Sequence, residues 1–68
     1  MKLYSFDGVI GGNDKIHKTF KTRECANKYL EKVLTERNIE INDVLKKENH
    51  RYEYICNQYT RFSISRNN

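Results

Sequence analysis

The stretch Thr22-Arg23-Glu24-Cys25-Ala26-Asn27-Lys28-Tyr29-Leu30-Glu31-Lys32-Val33-Leu34-Thr35-Glu36-Arg37-Asn38 decides how the rest of this chain is read. Cys25, Ala26, Tyr29, Leu30, Val33 and Leu34 recur at spacings of one, three and four, with polar or charged residues between them. That is the period of an amphipathic helix with one apolar stripe, and the stripe must be covered. Thr22 is the natural N-cap, because its hydroxyl can accept from the exposed amides of the first turn. Glu24 sits where the helix dipole favours a negative charge and forms an i,i+4 pair with Lys28. Asn38 is a natural stop, since asparagine tolerates the left-handed conformation.

Short alternating segments flank the helix and are its expected cover. Lys2 to Ile10 reads as a strand with Tyr4, Phe6 and Ile10 on one parity, and Gly8 marks a bulge or a close backbone approach. Gly11-Gly12-Asn13-Asp14 is a turn, because glycine and asparagine accept positive φ. Lys15 to Lys21 is a second strand, with Ile16 and Phe20 on one face and His17, Thr19 and Lys21 on the other. Lys18 falls between the two apolar residues, which suits an edge strand.

Beyond the helix, Ile39 to Lys47 reads as a strand with a distorted end, although Asn42-Asp43-Val44-Leu45 could equally cap a helical turn. Glu48-Asn49-His50 is a loop. Arg51 to Cys56 is a strand with Tyr52, Tyr54 and Cys56 on one face, and Asn57-Gln58 turns the chain. Tyr59 to Ser65 is the last strand, with Thr60, Phe62 and Ile64 against Tyr59, Arg61, Ser63 and Ser65. Arg66-Asn67-Asn68 is expected to fray.

The expected fold is therefore a small two-layer α+β domain over residues 1–68. An antiparallel sheet carries one amphipathic helix on one face, in the order β-β-α-β-β-β. Tyr29, Leu30, Val33 and Leu34 should meet Phe6 or Tyr4, Ile16, Phe20, Ile55 or Tyr54, Phe62 and Ile64.

With 68 residues, 37% of them hydrophobic, the chain supports one small core. Enclosing a substrate pocket of a few hundred Å3 would be difficult at that size. Thirteen Lys and Arg against nine Asp and Glu give a net charge of +4 and a pI near 9.2, a moderate excess spread along the chain. The first residues, Met1 to Asp7, lack the apolar run of a signal peptide, and nothing spans a membrane as a helix. The expectation is a soluble, cytoplasmic protein with no membrane partner. Two cysteines do not make the disulfide framework of a small secreted domain, and Cys25 and Cys56 read as buried free thiols. Lys and Asn each occur eight times and Ile six, whereas Ala occurs once and Pro never. Residues with AT-rich codons dominate, which suits a phage or mobile element of an AT-rich host.

No metal-ligand spacing connects Cys25, Cys56, His17 and His50, so no metal or cofactor is expected. No nucleophile elbow, P-loop or paired-acid motif is present, and Cys56 with His50 is the one Cys-His pair to consider. Gly11-Gly12-Asn13 leads into a strand pattern, so it lacks the helix N-terminus that would cradle a phosphate. The expected function is that of a non-enzymatic accessory or inhibitory protein that binds a host protein. Tyr59, Arg61, Tyr52, Lys21 and Lys18 are the expected contact residues, and an open edge strand could pair two copies into a homodimer. The alternative is a nucleic-acid-binding domain, with Tyr52, Tyr54 and Tyr59 as a stacking platform flanked by Lys and Arg.

Overall fold

The computed structural model describes residues 3–48 and 50–67. Its elements are β1 (Leu3–Ile10), β2 (Asp14–Phe20), α1 (Arg23–Glu36), β3 (Asp43–Lys47), β4 (Arg51–Ile55) and β5 (Arg61–Asn67). The strands form one antiparallel sheet in the order β2-β1-β5-β4-β3. The first and last strands are neighbours at its centre, and β2 and β3 are its edges. The helix crosses one face and packs on β1, β2 and β5. This is the α+β fold expected from the pattern.

Local chemistry explains where each element starts and stops. The Thr22 hydroxyl accepts from the Cys25 amide at 3.1 Å, which caps the helix N-terminus. At the other end Asn38 has φ of 54°. The Ile39 amide donates back to the Leu34 carbonyl at 2.8 Å, and the Asn38 amide to that of Thr35 at 3.3 Å. These two bonds make a Schellman stop, and Leu34 and Ile39 at its two ends are both half-buried against the core. Gly11 and Gly12 turn β1 into β2 at φ of 64° and 81°, a region that glycine enters without strain.

Phe6, Ala26, Leu30, Val33, Phe62 and Ile64 form the buried core. Phe6 meets Tyr29 edge-on, with ring centroids 5.1 Å apart, and Phe62 at 5.7 Å. Gly8 makes no bulge, because its register against Ile16 and Phe62 is continuous. It is a point of close approach instead. A Cβ there would lie 2.6 Å from a ring carbon of buried Phe62.

Four readings change. Cys25 is exposed, because it lies about a quarter-turn from the line through Ala26, Leu30 and Val33. The stretch Ile39-Glu40-Ile41 is not a strand, despite its alternation. Its two isoleucines are half-buried against the core as the chain crosses to β3, which begins at Asp43. Arg66 and Asn67 do not fray but pair with Tyr4 and Leu3 in the sheet centre, while Asn68 lies outside the described residues. Finally, Tyr59 belongs to the turn before β5. Of the two residues offered from β4 as partners for the helix, Tyr54 is the one that packs against the core.

Candidate functional site

Pairing fixes which side chains share a face, since partners across an antiparallel ladder point the same way. Phe6 stands in register with Lys18 and Ile64, Ile64 with Tyr52, and Tyr52 with Lys46. That rank lies on the helix side. The alternate residues form the opposite face, which no helix covers. Its central rank runs His17, Asp7, Ser63, Glu53, Leu45, and the next runs Lys15, Val9, Arg61, Ile55, Asp43.

A hollow of about 510 Å3 is bounded by Asp7, His17, Lys15, Arg61, Arg51 and Glu53. The chain thus shapes a space that its length argued against, but as a hollow open along the sheet. Two charge pairs line it. His17 Nδ1 lies 2.6 Å from Asp7 Oδ1. An ionised carboxylate can only accept, so the ring donates from Nδ1. Arg51 lies 3.2 Å from Glu53, whose side chain is only 23% exposed. Lys15 and Arg61 flank Val9 on the two neighbouring strands, and neither has an ion-pair partner among the described residues.

The His17, Asp7, Ser63 rank has the residue types of a hydrolytic relay in the wrong order. A relay needs the serine beside the histidine. Here the aspartate stands between them, so His17 is not placed to take a proton from Ser63. The Cys56 and His50 pair is also separated. His50 precedes β4 and Cys56 follows it, about 20 Å apart along the strand. Burial pushes the Cys56 thiol above its usual range, which lowers its thiolate fraction. Among the described residues, no three His, Cys, Asp or Glu side chains gather as a metal site requires. No helix among them is long and apolar enough to cross a membrane.

The residues singled out from the sequence do not converge. Arg61 is on the open face. Tyr59 is 60% exposed in the turn that joins β4 to β5. Its carbonyl accepts from Gly12 at 2.9 Å, and its amide donates to the Asn57 side chain at 2.8 Å. Gly11 donates to the buried Thr60 hydroxyl at 3.1 Å, so this turn and the β1–β2 turn are tied together. Tyr52 lies on the helix side of β4, beneath the Arg23 guanidinium at 4.7 Å. Lys18 lies on the helix side of β2, 5.6 Å from the centre of the Tyr29 ring. Lys21 is exposed in the connection between β2 and α1. Tyr52 and Tyr54 therefore lie across the sheet from Arg61 and cannot form a stacking surface with it.

Asp7, His17, Arg51, Glu53 and Lys15 were not among the contact residues expected from the sequence. One signal was available. With Gly11-Gly12-Asn13 as the turn, Ile10 faces Asp14 and counting back places Asp7 opposite His17. Glu53 and Arg51 gave no such signal, because their place depends on β4 pairing with β5. Comparison with protein-family models, curated proteins and solved structures finds no match to this chain.

Proposed function

We infer that this chain is a non-enzymatic binding module that engages a protein through the open face of its sheet. One observation carries the reading: the hollow on that face alternates in sign. Asp7 and Glu53 stand among Lys15, Arg51, Arg61 and His17, with Val9 and Ile55 between them. A surface built for a phosphate backbone gathers one sign of charge, because each neutralised phosphate adds affinity. Interleaved charges around small apolar patches suit a protein surface with its own mixed charges, where complementarity sets register and excludes wrong partners. The loss of the tyrosine platform to the helix side argues the same way. Arg61 is the proposed centre of the contact, exposed and without an acidic partner among the described residues. The AT-rich residue usage supports a phage or mobile-element origin, which would make the partner a host protein and the site of action the host cytoplasm.

The test places a photo-crosslinking amino acid at Lys15 on the open face or at Glu31 on the outer face of the helix, in lysate of an AT-rich bacterium. A discrete protein adduct at the first position only, lost when Arg61→Glu is added, is the expected result. Fluorescence anisotropy with single-stranded DNA, duplex DNA and RNA supplies the opposing outcome. Sub-micromolar binding that survives physiological salt would replace this reading with the nucleic-acid one.

A further inference from the structure

We propose that β3 is a self-complementary edge through which two copies of this chain join their sheets, antiparallel and centred on Leu45. This goes beyond the partner proposed above and does not depend on it. The two edges of the sheet differ. On β2 the apolar residues Ile16 and Phe20 are half-buried beneath the helix, and the rest of the strand is polar. On β3 every residue is exposed, including Val44 at 51% and Leu45 at 37%. Apart from Arg23, whose guanidinium lies over Tyr52, the helix stays clear of β3 and β4. An exposed edge with apolar side chains is a template for another strand.

The occupant is read from the order Asp43-Val44-Leu45-Lys46-Lys47. Laid antiparallel against itself about Leu45, this segment sets Asp43 opposite the partner's Lys47 and Lys47 opposite the partner's Asp43. Leu45 meets the partner's Leu45 between those two ion pairs. All three pairs lie on the open face, because residues 43, 45 and 47 share its parity. Val44 meets the partner's Lys46 on the helix side. Raising the pairing sum by two residues, which preserves the faces, instead sets Lys46 opposite the partner's Lys46, whereas lowering it by two centres the pairing on Val44 and leaves Lys46 and Lys47 beyond the partner's strand. Like charges directly opposite are destabilising. Only the register centred on Leu45 pairs all five residues without such a clash.

Three details of the isolated chain fit this arrangement. The Val44 amide is taken by the Asp43 carboxylate at 2.9 Å, a local bond on an exposed edge. Pairing would pass that amide to a backbone carbonyl of the second copy and release Asp43 toward the partner's Lys47. Lys47 stands opposite Arg51 within its own hairpin, a like-charge pair. Arg51 is drawn to Glu53, but Lys47 has no acid among the described residues. Lys46 leans inward, its ammonium 6.0 Å from the centre of the Tyr52 ring, which leaves its aliphatic stem for the partner's Val44. Pairing would make a ten-stranded sheet with one continuous open face. Five residues a side make a small interface, so the dimer should dissociate on dilution.

Sedimentation equilibrium of the full chain from low micromolar to millimolar concentration tests this. The wild type should rise from its monomer mass of 8.2 kDa to twice that value. Asp43→Lys and Lys47→Asp should each stay monomeric, because each sets like charges opposite one another at both ends of the pairing. Mixing the two variants should restore a heterodimer, in which both end pairs are again opposite in sign. That rescue separates lost pairing from lost folding, which circular dichroism also checks. A wild type that stays monomeric throughout, or a dimer indifferent to either charge reversal, would overturn the proposal. So would variants that fail to associate when mixed.

Discussion

The half of the sheet formed by β2, β1 and β5 lies under the helix, whereas the β4–β3 wing has only a linker and one arginine above it. Under the helix, Phe6, Phe62 and Ile64 are fully buried against Ala26, Leu30 and Val33. On the wing, Ile39, Ile41 and Tyr54 are each half-buried against the edge of the core, and Arg23 spans Tyr4 and Tyr52 at 5.4 and 4.7 Å from their ring centres. Its guanidinium also donates to the His50 carbonyl at 3.3 Å. Burial holds the first half together, while long side chains and a backbone ladder hold the second. A core of six residues cannot clad five strands. The chain leaves one edge and one face free, and those are the surfaces to which binding is assigned above.

The contrast is tested most severely at Leu30. Leu30→Ala removes a 4%-exposed side chain from the covered half and should cost about 2–5 kcal/mol, read from urea unfolding. That is a large share of the stability of so small a domain. A loss below about 1 kcal/mol would mean that the helix does not organise the fold.

A smaller effect should appear at the boundary between the halves. Burial, opposed by Arg23 and assisted by Tyr52, holds the Tyr54 phenol above its ordinary 10.0. The folded chain therefore keeps that proton where the unfolded chain loses it. The stabilising contribution is complete below pH 10.0 and is lost as pH rises through the folded value. Cys56 acts in the same direction from 9.0. Thermal melts across this alkaline range should show stability falling, and Tyr54→Phe should fall less steeply. Identical slopes would mean that the wing does not shelter Tyr54.

The smallest effect belongs to the far edge. Val44→Ala should change monomer stability by no more than about 0.5 kcal/mol, as at surface sites generally. A cost comparable to that at Leu30 would show that the wing is packed like the core, and the contrast would fail.

Features set by neighbours in the chain were legible in advance. Thr22 caps because it precedes the apolar stripe, Asn38 stops the helix because it tolerates positive φ, and Gly11-Gly12 turns for the same reason. Ile39-Glu40-Ile41 misled because alternation records only that every second side chain is sheltered. An irregular linker crossing a core does that as well as a strand does. Cys25 misled because a small residue at the rim of a stripe resembles one at its centre. Of the candidate site, Arg61 was legible as an outward residue of its strand, and the Asp7–His17 pair was within reach of a count through the turn. Tyr52 was assigned to the contact surface, but its strand's parity did not say which face the helix would take.

By itself the sequence determined one helix with its caps, the first hairpin turn and the parity of β1, β2, β4 and β5. Those depend on contacts within a few residues and on side-chain periods that the chain carries in its own order. Only the tertiary structure decided that β5 lies between β1 and β4, so that β3 is left at the edge. It alone set Arg23 over two tyrosines and placed Arg51 and Glu53 beside Asp7 and Arg61. Strand order and the choice of covered face come from which pairings bury the most apolar surface together, a comparison among distant segments that no local pattern encodes.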